Sequence, residues 1–183
     1  MSETKIKDGT GGKYVAKVDN ENRLLVSATT HSENHHVNDL DEEAYLFFTT
    51  VTPTATGDTF AYLKNTSNKD LIINWYRIWS GTSAEAIDIY IGKTGTPTGT
   101  TAMVPVNMNI TSKNEAEGLF YEGVDITGLS GGQEMDRLRL SGDGKDVLDS
   151  YPGHIIIQKG GVLTLQALTG GIALEVTLSF YYK

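Results

Sequence analysis

The chain has 183 residues, 39% of them hydrophobic, carries 15 Lys and Arg against 23 Asp and Glu for a formal charge of -8, and contains no cysteine. That length suits one domain burying roughly 70% of the surface its unfolded form exposes. The scattered basic residues form no stripe able to displace counterions from a phosphate backbone, which argues against nucleic acid and anionic membranes as partners. Without thiols, disulfides and thiolate metal centres are excluded, and stability must come from packing or from partner subunits.

The start, "MSETKIKDGTGG", has no apolar h-region of a signal peptide, and no apolar run is long enough to cross a bilayer as a helix, so synthesis in a cytoplasm is expected. Two strand-length apolar patches follow. Residues 14–18, with Tyr14, Val15 and Val18, and residues 24–27, with Leu24 and Leu25, are joined by the turn-forming "DNEN" and predict a short hairpin. Such a hairpin has no core of its own and is marginal alone, so it needs another surface. Either it adds to the sheet edge of a partner, or it supplies the first two strands of its own domain.

"HSENHH" then brings His31, His35 and His36 together. His31 and His35 would share a face only on a helix, which Asn34 and the polar flanks disfavour, and no fourth ligand is evident; a solvated loop is expected rather than a metal centre. The boundary falls near residue 40, giving an N-terminal arm over 1–43 and a domain over 44–183.

Beyond it, "AYLFFTTVT", "DTFAYLKN", "DLIINWYRIWS", "AIDIYIGK" and "AMVPVNMNI" are β-branched or aromatic segments separated by turn-rich "PTATG", "TSNK", "GTSAE" and "TGTPTGT". Strict alternation in the third places Leu71, Ile73, Trp75, Arg77 and Trp79 on one face. Two Trp bracketing an Arg offer a surface aromatic patch for stacking a sugar or anchoring an interface; the plainer expectation is core packing with Arg77 near the rim. "GGQEMDRLRL" fits a helical turn from Gln133, or a strand with Met135, Arg137 and Arg139 opposite Asp136, Leu138 and Leu140, and the strand is preferred. "YPGHIIIQKGGVLTLQAL" reads as a Pro-Gly turn, a strand around 155–157, a Gly160-Gly161 turn and a further strand. Last, Ile172, Leu174, Val176, Leu178 and Phe180 alternate with Ala173, Glu175, Thr177, Ser179 and Tyr181, a strand with one wet face. Many short strands without alternating helices predict an all-β, antiparallel β-sandwich with an extended N-terminal arm or hairpin, and a jelly roll fits the strand count.

Motifs for chemistry fail on context. "GLSGG" matches G-x-S-x-G, with acids and His154 following Ser130, but a nucleophile elbow needs a parallel sheet alternating with helices; a glycine-rich loop is expected, and the chain is read as a non-enzyme without cofactor. "SGDGKDVLD" gathers Asp143, Asp146 and Asp149 without the spacing of a calcium loop. The sequons at Asn65 and Asn109 carry no weight without a secretory signal.

In "KDGTGGKYVAKVDNENRLLVSA", Asp8, Gly9, Thr10 and Gly11 form a D-G-T-G phrase, and Ala16, Lys17, Val18, Asp19, Asn22, Arg23 and Leu24 an A-K-V-D-x-x-N-R-L phrase. This opening resembles the N-terminal segment of a group of tailed-bacteriophage virion structural proteins. The ending, "GGVLTLQA" followed by a long alternating strand, resembles small jelly-roll proteins of phage heads. The resemblance implies a structural, non-enzymatic virion protein, most simply a capsid decoration protein. Asp8, Gly9, Tyr14, Val15, Val18, Arg23, Leu24 and Leu25 would contact the major capsid protein or other virion proteins, and a homotrimer would suit a threefold shell position. The alternative is a carbohydrate-binding sandwich for host attachment, with Trp75, Arg77 and Trp79 facing a glycan.

Overall fold

A computed structural model describes Lys17–Val18, Leu24–Leu25, residues 33–144 and residues 147–183. The chain divides into two compact units, Met1–Ser32 and Glu33–Lys183. In the first, β1 (Lys17–Val18) and β2 (Leu24–Leu25) pair antiparallel, Lys17 opposite Leu25 and Val18 opposite Leu24.

The second unit opens with α1 (Glu33–Leu40), followed by β3 (Ala44–Val51), β4 (Thr59–Asn65), β5 (Leu71–Trp79), β6 (Glu85–Ile91), β7 (Thr94–Thr98), β8 (Thr101–Ala102) and β9 (Val106–Asn107). It continues with β10 (Gly118–Glu122), β11 (Thr127–Ser130), β12 (Gln133–Leu140), β13 (Val147–Ile157), β14 (Val162–Ala167) and β15 (Leu174–Tyr182). A six-stranded sheet runs β12-β6-β14-β4-β10-β8, a five-stranded sheet β13-β5-β15-β3-β9, and β11 pairs with β7 as a separate ribbon. All described pairs are antiparallel. Among the eight long strands the chain changes sheet at β3–β4, β4–β5, β5–β6, β12–β13, β13–β14 and β14–β15, so the main ladders join strands distant in sequence.

Between the sheets lies one core, a β-sandwich interior built by alternation. Tyr45 and Phe47 of β3, Ile73, Tyr76 and Ile78 of β5, and Leu174, Val176, Leu178 and Phe180 of β15 meet Ala61 and Leu63 of β4, Ile87 and Ile89 of β6, and Leu163 and Leu165 of β14. Phe180 ties the layers together: its ring stacks on Tyr45 at 5.6 Å and on Phe120 of the facing sheet at 5.3 Å, and meets Tyr182 edge-on at 5.9 Å. Ring pairs in such geometry add about 0.5–1.5 kcal/mol each beyond the area they bury.

"GGQEMDRLRL" is a strand, as preferred. Leu138 and Leu140 point inward, and Arg137 reaches across to buried Asp88 on β6 with Nε to Oδ1 at 2.5 Å and Nη2 to Oδ2 at 2.9 Å.

Four features depart from expectation. Residues 33–40 form a helix where a solvated loop was expected. An eight-residue helix is marginal alone, and this one is held by Val37, buried with Ala44, Ile72 and Tyr181 beside Met108. The expected wet face of β15 is mostly buried: Tyr181 belongs to this cluster, Ser179 lies beside Met108, Thr177 is buried next to its ladder neighbours Arg77 and Phe48, and Glu175 is exposed. The expected Pro-Gly turn is instead an interruption inside β13, where the ladder to β5 steps from Ser150 opposite Trp75 to Ile155 opposite Ile73. "AMVPVNMNI" is no single strand. Pro105, lacking an N–H, separates β8, which joins β10, from β9, which joins β3, and Val104 and Ile110 are left exposed.

Replacing Leu178 by Ala is expected to destabilise the fold by about 2–5 kcal/mol, because a fully buried leucine leaves a cavity its neighbours only partly fill. Glu175→Ala should fall within about 0.5 kcal/mol. Urea unfolding of both variants checks this, and equal losses would contradict the assigned faces.

Candidate functional site

An irregularity in β5 creates the most distinctive surface. Its pairing with β15 steps from Ser179 opposite Trp75 to Phe180 opposite Ile73, leaving Asn74 as an extra residue. Such a bulge inverts the alternation. Leu71 and Ile73 before it, and Tyr76 and Ile78 after it, all enter the core, whereas Trp75, Arg77 and Trp79 are turned to the outer face. The expectation of one face shared by Leu71, Ile73 and the three patch residues is therefore corrected, as is core packing of the indoles: both Trp are half-buried and Arg77 is exposed.

Across the ladder, Trp79 lies opposite Glu175, Arg77 opposite Thr177 on one side and Leu148 on the other, and Trp75 opposite Ser179. Arg77, Trp79, Glu175 and Thr177 line an open groove of about 280 Å³. Trp79 is braced from below. Its Nε1–H donates to the Gly144 carbonyl at 3.3 Å, the Gly144 N–H donates to the Gly81 carbonyl at 3.0 Å, and the ring edge lies 3.5 Å from where a Cβ on Gly81 would sit. Gly81 has φ +64°, a conformation that disfavours any larger residue there. Apolar surface continues onto Phe48, opposite Thr177 on β3, and Leu148, 50% and 67% exposed.

A second hollow, of about 550 Å³, lies at one end of the sandwich, lined among others by Glu43, Tyr45, Lys69, Lys113, Glu117 and Tyr182. Lys69 donates to Glu43 at 2.6 Å. Burial, reinforced by the charges of Glu43 and Glu117, pushes the Tyr45 phenol up to about 12. The Tyr182 phenol is raised still further, by burial first and then by Tyr45, Glu117 and Glu43, and its hydroxyl has no hydrogen-bond partner among the described residues. Sequence reasoning missed this hollow because no local motif marks it; its lining comes from four distant segments.

The other candidates scatter. Val18, Leu24 and Leu25 lie on the hairpin, while Asp8, Gly9, Tyr14, Val15 and Arg23 are outside the described residues. His35 and His36 are exposed on α1, and His31 is outside the described residues. Asp143 is in a loop, Asp149 on β13, and Asp146 outside the described residues. Ser130 ends β11, and the following Gly131 and Gly132 lead into strand β12 rather than a helix. The glycine of this motif has a structural cause: a Cβ on Gly128 would sit 2.3 Å from the Thr96 carbonyl oxygen across the ribbon. Compared with known proteins, the chain matches no protein-family model and no curated protein.

The buried phenols set an alkaline limit. Since folding raises them above the ordinary tyrosine value of 10, the neutral form stabilises the fold below that pH; the Tyr45 contribution is lost as pH rises through about 12, and that of Tyr182 at still higher pH. In a spectrophotometric titration of the nine tyrosines, Tyr45 and Tyr182 are expected to ionise last and together with unfolding, and Tyr182→Phe should blunt that alkaline transition. Ionisation of all nine near pH 10 in folded protein would contradict the burial.

Proposed function

We propose that this chain is a non-enzymatic virion structural protein of a tailed phage, a capsid decoration protein that holds the head shell through its N-terminal hairpin and stabilises it. The observation that carries this reading is the β1–β2 pairing within the segment whose phrases resemble virion proteins. Among the described residues two pairs join the strands, and an isolated two-stranded hairpin is marginal in water, so a second surface would order it; the edge strand of a capsid protein supplies main-chain partners and register.

The strand orders support a jelly roll for the second unit. With β3-β15-β5-β13 in one sheet and β4-β14-β6-β12 in the other, the eight long strands follow a double Greek key, an architecture shared by viral capsid and lectin domains, and β7 to β11 are an insertion between the fourth of these strands, β6, and the fifth, β12. The fold alone carries no function. It does supply a rigid body whose core residues, from Val37 to Tyr182, lie after the hairpin in sequence. On a symmetric shell the natural assembly is a closed homotrimer with the virion as its location.

Removing residues 1–32 is expected to leave a folded protein with nearly unchanged melting temperature that no longer decorates empty heads; the cut must spare α1, whose Val37 is in the core. Val15→Asp, Val18→Asp and Leu25→Asp should each stay soluble and lose decoration, because a charge would have to be buried at the contact. Wild-type occupancy by these variants, or aggregation of the truncated chain, would contradict attachment through the hairpin.

Sedimentation of the purified chain should give a trimer of the 19.9 kDa protomer. A monomer at high concentration would contradict the closed assembly.

A further inference from the structure

We propose that the groove between β5 and β15 is a binding site for a neutral oligosaccharide, with Trp79 and Trp75 stacking on sugar rings while Glu175, Thr177 and Arg77 bond their hydroxyls. The site is independent of shell attachment, which uses the other unit of the chain.

The first support is placement. The chain has two tryptophans, and the Asn74 bulge turns both outward. Without that extra residue they would continue the inward row of Leu71 and Ile73. Large aromatic rings left partly in water forgo hydrophobic stabilisation of about 25 cal/mol for each Å² still exposed, so a fold that presents both on one outer row keeps surface that a ligand can cover.

Spacing and rigidity follow. Trp75 and Trp79 are four residues apart on one strand, about 13 Å at roughly 3.3 Å per residue, with Arg77 between them. That row suits an extended chain of rings lying along the strand. Trp79 is already fixed by its bond to Gly144 and its packing over Gly81, so little side-chain freedom remains to be lost on binding.

The polar groups select the occupant. A pyranose has an apolar C–H face and a rim of hydroxyls that donate and accept; an indole face matches the first, and a carboxylate, a guanidinium and a threonine hydroxyl beside it match the second. Among the described lining residues Arg77 and Glu175 supply one charge of each sign, while the chain as a whole carries -8, which disfavours acidic sugars. A protein partner fits less well, since a dry contact would have to desolvate both charged groups at its centre. Sugar hydroxyls replace the water around them.

Because Trp79 lines the groove and Trp75 lies further along the same outer row, the tryptophan fluorescence of the full-length protein reports on this row. Titration with gluco-, galacto- and manno-configured neutral oligosaccharides is expected to give a saturable emission change with at least one series, and sialyllactose none. By calorimetry with the sugar that binds, Trp79→Ala should lose affinity roughly tenfold or more and Trp79→Phe should retain most of it, with Glu175→Gln and Arg77→Ala each weakening binding at unchanged melting temperature. Should Trp79→Ala fail to fold, the Glu175 and Arg77 variants decide. The proposal is overturned by absence of a saturable change with every neutral series, by binding of the anionic sugar alone, by wild-type affinity in these variants, or by an emission change with empty heads and none with sugars.

Discussion

The pairing of β5 with β15, and the one extra residue it accommodates at Asn74, is the constraint on which the rest of the second unit depends. These strands are the centre of the five-stranded sheet, and each must serve two faces. Inward, β15 supplies Phe180, whose stacking on Tyr45 and Phe120 couples one sheet to the other. Outward, the same ladder sets Glu175 and Thr177 beside Trp79 and Arg77. A regular ladder could not satisfy both, because five residues of β5 in strict alternation would send two indoles and a guanidinium into the space that Tyr76 and Ile78 fill.

The pairing is also non-local. Strands adjacent in the long-strand order lie far apart in sequence, so loop-closure entropy is lost before the ladders form, and the core must compensate through continuous burial. That fits a second unit in which β15 is covered on its inner face by the opposite sheet and, at Ser179 and Tyr181, on its outer face by Met108 and the Val37 cluster of α1.

Much of this architecture is visible in the sequence. The segments at 44–51, 59–65, 71–79, 85–91, 162–167 and 174–182 are marked by β-branched and aromatic residues between turns, and Val18 and Leu24, in the two apolar patches of the N-terminal segment, face each other across a strand pair; the "DNEN" between them lies outside the described residues. What a period of two cannot express is a change of phase. The bulge at Asn74 and the four residues at 151–154 both break the ladder without breaking the strand, which hid the orientation of the tryptophans and turned a Pro-Gly pair into a false turn. Helix α1 was hidden for a different reason: its polar sequence has weak intrinsic preference, and one buried valine with its tertiary neighbours decides it. The β7–β11 ribbon looked like loop because its glycines, required where Gly95 and Gly128 approach across the strands, also mark turns.

The molecule thus combines a short antiparallel pair, β1 with β2, and a sandwich whose outer face carries an aromatic row. A cryo-electron reconstruction of the virion tests the central claim, attachment to the head through the hairpin, most directly. The account predicts copies on the outer surface of the shell, with Lys17–Val18 and Leu24–Leu25 extending a sheet of the capsid protein and the sandwich standing clear of it. Heads without copies, or copies whose hairpin pairs with their own sandwich while another surface meets the shell, would contradict it.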